Sequence, residues 1–412
     1  MDLELLTIGT ELLLGFTVDT NGAEIARALA AIGVRVARRT SVGDTPDAIR
    51  EAVRDALSRT GAVLTTGGLG PTSDDRSKLV VAELYGMPLE FEPAIWQELV
   101  TRFARLGRAP AASNRGQAEV PRGASVLPNR WGTAPGLWFE GGPGLVIMLP
   151  GVPGEMRKLL EHEVVPRLAA RSGGGVIRSR LVRTTGIPES TLAERLGEIE
   201  RDVAPLTLAY LPGFEGVDLR LSAWGLAPDD ADARLAAGAG LLRERAGPFA
   251  YGEGDDDLAA LVLERARAQH LRLGTAESCT GGLVGGRLTA IPGSSDVFIG
   301  GVICYSNELK TALLGVDPAL IEADGAVSES VACAMARGAI HRLGVDLAVA
   351  VTGIAGPGGG TTEKPVGTVC IAVVTDEGEN VRTFRFVGGR DLVKYQSATA
   401  GLNMLRLLLL GR

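Results

Sequence analysis

Residues 62–75 read AVLTTGGLGPTSDD, and this stretch decides the fold of the first part of the chain. The apolar and β-branched residues 62–66 predict a buried strand, and the glycines that follow at 67, 68 and 70 predict a loop at its carboxyl end. Open parallel sheets bind ligands at the carboxyl ends of their strands. We therefore expect a ligand site in the loop that follows residue 66.

The segments on either side of this loop alternate between strand and helix patterns. Thr45 and Pro46 have the residue types of a helix cap and a first helical position, and Gly61 ends the same helix. The pattern predicts strand 3–8, helix 20–32, strand 34–42, helix 46–60 and strand 62–66. This β-α-β-α-β order predicts a mostly parallel sheet with helices on both faces, which is a three-layer α/β domain.

The whole chain has 412 residues, a length that predicts two to four domains. Glycine-containing stretches at 171–175 and 246–257 have the composition of linkers. The sequence thus predicts an N-terminal α/β domain over 1–171, a small α+β module over 176–250 and a C-terminal α/β domain over 255–412.

Charge and composition limit the ligands of this chain. The formal net charge is −7 and aromatic residues are 4% of the chain, so long-range attraction to a phosphate backbone and serial base stacking are both disfavoured. Residues 213–216, GFEG, have the glycine spacing of a KH loop, but Glu215 opposes the binding of a phosphate backbone there. We expect no direct nucleic-acid binding and a small nucleotide ligand instead.

Targeting and metal signals are weak. The first residues, MDLE, are acidic, and no apolar run reaches about 18 residues, which predicts a cytoplasmic protein without a membrane segment. The four cysteines show no CxxC spacing, so a structural zinc site is not expected. Only three histidines occur, which argues against a histidine-based triad. Only five lysines occur, so each is a candidate for a role that arginine cannot fill.

Three segments of the C-terminal domain have residues suited to chemistry: AESCTGG at 276–282, CYSNELK at 304–310 and TGIAGPGGG at 352–360. Ser278 follows a predicted strand, and the helix after it is expected to offer free N–H donors to an oxyanion or phosphate. A serine in this position is suited to act as a nucleophile. The alternative interpretation is a serine or threonine that caps the helix.

These segments, with GAVSES and EKPVGTV, resemble the CinA family, which includes bacterial amidases that deamidate nicotinamide mononucleotide. The resemblance implies Ser278 as nucleophile, Lys310 as general base and Tyr305 as the hydrogen-bonding partner of Lys310. A lysine can deprotonate serine only when it is neutral. Lys394 stands where relatives often have arginine, so its role toward the substrate phosphate stays open. The resemblance also implies a substrate-binding set: Thr280, Gly281, Gly282, Thr352, Gly353 and Gly356.

The N-terminal domain resembles the other part of the same family, which is related to molybdopterin-binding proteins. The motifs are GTELLLG at 9–15, DTN at 19–21, TTGGLGPTSDD at 65–75 and LPGVPGEM at 149–156. The resemblance implies hydrolysis of ADP-ribose with a divalent cation of the magnesium or cobalt class. Its implied binding residues are Gly67, Gly68, Gly70, Asn21 and Asn129, with Asp74, Asp75 and Asp44 as metal ligands.

Backbone N–H groups of a glycine loop can bind a diphosphate, and carboxylates can hold a hard cation. Helix capping with dipole complementation is the alternative interpretation of Asp74, Asp75 and Asp44. The resemblance as a whole predicts a bifunctional nucleotide hydrolase that is a homo-oligomer, most simply a dimer. The rival hypothesis is a competence-associated adaptor for a recombination protein such as RecA that only binds nucleotides.

Overall fold

The computed structural model describes residues 1–411. The chain forms two compact units: Met1–Ser179 with Ser222–Arg234, and Arg180–Leu221 with the chain from Leu235 onward. Within residues 1–411, none of the helices is both long and apolar enough to cross a bilayer.

Residues 1–170 contain eight strands and seven α-helices. The strands are β1 (Asp2–Ile8), β2 (Arg35–Val42), β3 (Ala62–Thr66), β4 (Leu89–Phe91), β5 (Glu119–Pro121), β6 (Ser125–Leu127), β7 (Gly136–Gly141) and β8 (Gly144–Leu149). The helices are α1 (Thr10–Leu13), α2 (Thr20–Ala31), α3 (Pro46–Thr60), α4 (Ser77–Leu84), α5 (Pro93–Arg105), α6 (Pro153–Leu159) and α7 (Val165–Ala169).

Six of these strands form one sheet in the order β2-β1-β3-β8-β7-β6. The first four strands are parallel, and β7 and β6 are added antiparallel. Alternate residues of β1 face opposite sides: Leu3 and Leu5 pack in one core with α2 and α6, whereas Leu6 and Ile8 pack in another with α3 and α4. The three-layer, mostly parallel domain predicted from the sequence is confirmed.

A small α+β module follows. Its strands are β9 (Val176–Thr184), β10 (Thr207–Pro212), β11 (Val217–Leu226) and β12 (Ala250–Glu253), and its helices are α8 (Glu189–Leu196), α9 (Ile199–Asp202) and α10 (Pro228–Ala246). The sheet order is β10-β11-β9-β12.

Two details of this module differ from the sequence-based expectation. The stretch interpreted as a linker contains β12, which pairs antiparallel with β9. The helical sequence pattern of residues 189–200 is broken at Gly197, whose φ of 61° is unfavourable for a helical residue with a side chain.

The last part of the chain is a second α/β domain. Its strands are β13 (Leu273–Glu277), β14 (Phe298–Ile303), β15 (Leu347–Gly353), β16 (Thr368–Thr375) and β17 (Gly378–Arg385). Its helices are α11 (Leu258–Ala268), α12 (Leu283–Thr289), α13 (Asn307–Leu314), α14 (Pro318–Asp324), α15 (Glu329–Leu343) and α16 (Arg390–Leu408). The sheet order is β14-β13-β15-β16-β17, with the first three strands parallel.

Helices cover both faces of this sheet as well. Val349 and Val351 of β15 pack in the core formed with α11, α12 and α16, whereas Ala348 and Ala350 pack against α15. The central strand β13 lies between two parallel neighbours, so the carboxyl ends of β14, β13 and β15 meet at one edge. The predicted C-terminal α/β domain is confirmed.

Candidate active sites

The carboxyl edge of the C-terminal sheet brings the three sequence segments of interest together. Glu277, the last residue of β13, is in register with Ile303 of β14 and with Val351 of β15. The amide of Ser278 donates to Val351 O at 2.9 Å, and the amide of Cys304 donates to Glu277 O at 2.9 Å. Backbone pairing therefore fixes Ser278 next to the ends of both neighbouring strands.

Lys310 reaches Ser278 from helix α13. Ser306 caps this helix by accepting from the amide of Leu309, and the following turn directs Lys310 inward. Lys310 Nζ lies 3.2 Å from Ser278 Oγ and 3.3 Å from the carbonyl oxygen of Cys304. The two side chains are buried, with 7% of Ser278 and 2% of Lys310 exposed. The two residues thus form a buried hydroxyl–amine pair.

The surroundings of Lys310 favour the neutral amine. Burial lowers the pKa of Lys310 because the ammonium form loses its hydration. The neighbouring Cys279 thiol stays protonated at neutral pH, since burial raises its pKa to about 12. Lys310 therefore has no thiolate beside it that would stabilise its charged form.

The expectation of free donors at the start of helix α12 is wrong. The carboxylate of Glu277 accepts from the amides of Gly282, Val284 and Gly285 at 2.8–3.0 Å. Glu277 is 1% exposed, so its carboxylate binds the first amides of helix α12 in the interior of the domain. Neither an oxyanion nor a phosphate can use these three donors while Glu277 holds them. The sequence signal for this role was the acidic residue at the end of β13, directly before Ser278.

Other polar groups beside Ser278 remain available. Within residues 1–411, the backbone amides of Cys279 and Thr280 have no carbonyl or carboxylate partner. The hydroxyl of Thr280 is buried and also lacks a hydrogen-bond partner in this part of the chain. Unsatisfied buried polar groups are rare in folded proteins and commonly belong to ligand sites.

Tyr305 is placed differently from the expectation that it pairs with Lys310. Its hydroxyl is hydrogen-bonded to Arg390 at 2.7 Å, and 60% of the residue is exposed. Arg390 also donates to the carbonyl oxygen of Gly356 at 2.7 Å. Tyr305 follows β14 on the exposed side of the edge, whereas Lys310 turns inward one helical turn later. Arg390, which the sequence analysis missed, links Tyr305 to the glycine-rich loop after β15.

The predicted substrate-binding residues divide into two groups. Gly281 and Gly282 have φ values of 63° and 95°, and the Nζ of Lys394 lies 4.0 Å from where a Cβ on Gly281 would be. Lys394 therefore brings a cation to this loop. Thr352, by contrast, donates its hydroxyl to Ala326 O, and a Cβ on Gly353 would meet Val369 at 2.6 Å. Thr352 and Gly353 therefore support the site by packing against other parts of the domain.

The glycine loop of the first unit also lies at the carboxyl edge of a sheet. Gly67, Gly68 and Gly70 line a cavity of about 330 Å³. Gly67 has a φ of 108°, and a Cβ there would lie 2.2 Å from the carbonyl oxygen of Ile8. A Cβ on Gly68 would lie 1.9 Å from Ser77 Oγ. A side chain at either position would thus displace the loop from strand β1 or helix α4.

The three predicted metal ligands, Asp74, Asp75 and Asp44, line the same cavity. All three have hydrogen-bonding partners in the chain: a hydrogen bond from Thr72 lowers the pKa of Asp74. Asp75 accepts from the amide and hydroxyl of Thr72, and Asp44 accepts from the amide of Thr10 at 2.9 Å. The contact of Asp44 is to the first residue of helix α1, as the capping alternative expects, whereas Asp75 holds a loop residue and Arg76 is the residue before α4.

The cavity does not by itself form a complete metal site. Within residues 1–411, no three Asp, Glu, His or Cys side chains are close enough together to hold a metal ion. A magnesium-like cation that keeps several waters and binds substrate phosphates needs only one or two protein carboxylates. The donor set fits such a cation, with Asp74 and Asp75 as its candidate ligands, and does not fit a metal enclosed by protein ligands.

The two predicted asparagines support the cavity walls. Asn21 donates to Gly151 O at 2.8 Å, and Gly151 lines the cavity. Asn129 donates to Glu155 at 2.6 Å and accepts from the amide of Gly132 at 2.8 Å. Asn129 therefore fixes Glu155, another residue of the cavity wall. The buried Oδ1 of Asn21 has no partner in the described chain, so it can accept a hydrogen bond from a ligand.

Comparison with known proteins agrees with this architecture. Three family models match in succession: the probable molybdopterin binding domain over residues 4–170, the damage-inducible protein CinA KH domain over 179–252 and the CinA C-terminal domain over 255–409. A CinA-like protein of Gemmatimonas aurantiaca is 53% identical over 98% of this chain and 96% of its own length. The chain belongs to the CinA family.

Other CinA relatives are also similar over their full length. A putative competence-damage inducible protein of Symbiobacterium thermophilum is 46% identical over 99% of both chains. The crystal structure of competence/damage inducible protein CihA from Agrobacterium tumefaciens covers 38% of this chain and 94% of that one, at 41% identity and a TM-score of 0.36. The family predicted from the sequence motifs is confirmed.

Proposed function

We propose that the C-terminal domain hydrolyses the carboxamide of nicotinamide mononucleotide to nicotinate mononucleotide and ammonia. The observation that carries this proposal is the buried 3.2 Å contact between Lys310 Nζ and Ser278 Oγ. A general base must lie within about 2.6–3.2 Å of the group it deprotonates. The lowered pKa of Lys310 supports the same role, because only the neutral amine can accept the serine proton.

The first chemical step forms an ester between the enzyme and the substrate. Ser278 Oγ attacks the carboxamide carbon while Lys310 Nζ takes the hydroxyl proton. The tetrahedral intermediate then collapses, its C–N bond breaks, and the lysine ammonium gives the proton to the departing ammonia. Water hydrolyses the resulting ester with Lys310 again as base, which releases nicotinate mononucleotide and restores Ser278.

Backbone donors stabilise the developing oxyanion in this scheme. The amides of Cys279 and Thr280 are adjacent to the nucleophile and have no carbonyl or carboxylate partner in the described chain. Donors fixed in a water-poor site contribute strongly to acyl transfer because they need no reorganisation during the reaction. Glu277 has an indirect part: by occupying three amides of helix α12, it fixes the turn that carries Ser278.

The phosphate of the substrate needs a separate partner. Lys394 lies against the loop of Gly281 and Gly282, where its ammonium group can pair with a phosphate. This arrangement places the cation on α16 and the nucleophile after β13. Recognition of the phosphate and attack on the carboxamide are thus assigned to different elements of one domain.

For the N-terminal domain we propose hydrolysis of ADP-ribose to AMP and ribose 5-phosphate. The supporting observation is the cavity in which the glycine loop and the carboxylates of Asp74 and Asp75 are neighbours. Water attacks one phosphorus and the bridging P–O bond breaks, so each product retains one phosphate. A divalent cation, when bound, neutralises negative charge on the diphosphate. The chain's own contribution is to bind the diphosphate with loop amides and to orient it with Asn21 and Gly151.

The rival function is an adaptor for a recombination protein that binds nucleotides without converting them. A buried lysine with a lowered pKa is not required to sense a nucleotide, and this feature favours an enzyme. Incubation of the purified full chain with each nucleotide separates the two functions. We expect ammonia and nicotinate mononucleotide from one substrate, and AMP and ribose 5-phosphate from the other when Mg²⁺ or Co²⁺ is added. Saturable binding of both nucleotides without product would favour the adaptor.

A further inference from the structure

A second cavity in the C-terminal unit has no role in the reactions proposed above. Its volume is about 610 Å³, which is within the usual range for small-molecule sites. One wall is a face of helix α16, another is a face of strand β17, and the rest comes from loops of the small α+β module. Ser278 and Lys310 are not among the described residues that line it.

Strand β17 gives this cavity an aromatic wall and a cation. Side chains two residues apart on a strand share one face, and Arg382 and Phe384 of β17 both line the cavity, as does Phe386 directly after the strand. The rings of Phe384 and Phe386 are nearly parallel, with an interplanar angle of 5° and centroids 5.5 Å apart. Within residues 1–411, Arg382 is exposed and has no carboxylate partner. The wall therefore combines a flat apolar surface with a guanidinium that is free to pair with an anion.

Helix α16 adds a polar group that needs a donor. Gln396 and Asn403 lie on the face of α16 that lines the cavity. The Oε1 atom of Gln396 is buried and has no hydrogen-bond partner in the described chain. An unpaired buried acceptor costs free energy, and a ligand N–H group removes that cost.

The third wall is held in place by Glu215. One carboxylate oxygen accepts from Arg287 and Tyr395, and the other accepts from Arg183 at 3.0 Å. Phe214, the neighbour of Glu215, lines the cavity and is 71% exposed. The GFEG loop is thus fixed against helices α12 and α16, and the cavity is preformed.

We propose that this cavity binds a nucleoside monophosphate whose base has an exocyclic amino group. The phenyl pair of Phe384 and Phe386 supplies the apolar surface for the base, and Gln396 accepts from the amino group. Arg382 pairs with the phosphate. A mononucleotide fits better than a nucleic acid, because the net charge of −7 and the inward-turned Glu215 oppose a long polyanion.

Binding of AMP to the full chain tests the phosphate contact. Arg382→Met keeps the length of the side chain and removes its charge, so AMP affinity should fall about tenfold. Arg385→Met is the matched control, since Arg385 lies on the opposite face of β17 and should leave AMP affinity unchanged. AMP is also a proposed product of the N-terminal cavity, so isothermal titrations of the wild type and both variants are fitted with two sites, and Arg382→Met should weaken one of them. A wild type with no second AMP site, or a second site that Arg382→Met leaves intact or that both variants weaken equally, would overturn the assignment.

Comparison of AMP with inosine monophosphate tests the base contact. Inosine monophosphate has a carbonyl oxygen where AMP has its amino group, so the wild-type chain should bind AMP more tightly. Gln396→Leu should abolish this preference, whereas the contribution of Arg382 to the affinity for the phosphate should be unchanged. If the variant retained the wild-type preference for AMP, Gln396 would not contact the base and the proposed ligand class would be wrong.

Discussion

The two candidate active sites lie at the same kind of place, the carboxyl edge of a mostly parallel sheet, but they are completed to different degrees. In the C-terminal domain the reactive side chains are already in contact, since Lys310 Nζ lies 3.2 Å from Ser278 Oγ and both residues are buried. In the N-terminal domain the carboxylates line an open cavity, and no three of them in residues 1–411 are close enough to hold a metal ion.

This difference shows how each site depends on its ligands. The site proposed for amide hydrolysis needs only the substrate, because burial and backbone pairing already fix the proposed nucleophile and base. The site proposed for diphosphate hydrolysis needs the substrate phosphates and a cation to complete it. Removal of the metal should therefore suppress ADP-ribose cleavage and spare deamidation. Removal of the Ser278 hydroxyl should suppress deamidation and spare ADP-ribose cleavage.

The largest expected effect is that of Ser278→Ala on deamidation. Loss of the nucleophile should reduce ammonia release from nicotinamide mononucleotide by more than about 10³-fold, since no ester can form. Cleavage of ADP-ribose by the same preparation should be unchanged, which serves as the control for folding. Ammonia production at the wild-type rate would remove Ser278 as nucleophile.

Chelation of divalent cations should have the opposite selectivity. EDTA should suppress release of AMP from ADP-ribose by about 10²-fold or more, because a cation supplies several kcal/mol of charge stabilisation. Asp75→Ala should reduce the same activity more than Asp44→Ala, and neither change should affect ammonia release. AMP release that persists in EDTA would contradict the metal assignment, and unchanged activity of Asp75→Ala would leave Asp75 as a loop cap for Thr72.

A smaller effect is expected when the phosphate partner is changed. Lys394→Met should raise the KM for nicotinamide mononucleotide about tenfold, with a smaller change in kcat, because it removes a contact made equally in the ground and transition states. Lys394→Arg should restore most of the affinity. Steady-state kinetics of ammonia release measure both parameters. A variant with wild-type KM would place the phosphate elsewhere.

The smallest effect concerns stability. The pKa of Lys310 is lowered in the folded state, so between that pKa and about 10.4 the unfolded chain binds a proton that the folded chain does not. Stability of the wild type should rise with pH in this window, by at most about 1.4 kcal/mol per pH unit from this group. Lys310→Met should remove that slope, as measured by denaturant unfolding between pH 7 and 10. Lys158→Met, which changes a partly exposed lysine, is the control. An equal loss of slope in both variants would refute the assignment to Lys310.

The fold was accessible from the sequence because local patterns determine it, and the pair of Ser278 and Lys310 was accessible through the resemblance to the CinA family. Strand β3 has the same bounds as its prediction, and Ser278 and Lys310 lie in motifs that follow adjacent parallel strands. The placement of individual side chains was not accessible. The occupation of the α12 amides by Glu277 depends on where one side chain turns at the end of β13, and the pairing of Tyr305 with Arg390 joins residues 85 positions apart.

The metal ligands show a further limit of the sequence. A run of two aspartates after a glycine loop is compatible with both a cation site and a loop cap. The hydrogen bond of Asp75 to Thr72 is local, whereas that of Asp44 to Thr10 joins residues 34 positions apart, and both depend on loop geometry that composition does not determine. The sequence does not show which carboxylate oxygens are already bound by other groups of the chain.

The central claim is that a neutral Lys310 acts as the base for Ser278, and Lys310→Arg tests it most directly. Arginine retains a positive charge and cannot be deprotonated in a protein. The variant should still bind nicotinamide mononucleotide, as measured by isothermal titration, but its ammonia release should fall by about 10²-fold or more. A Lys310→Arg protein that binds the substrate and retains most of its turnover would contradict the claim and show that the base is another group.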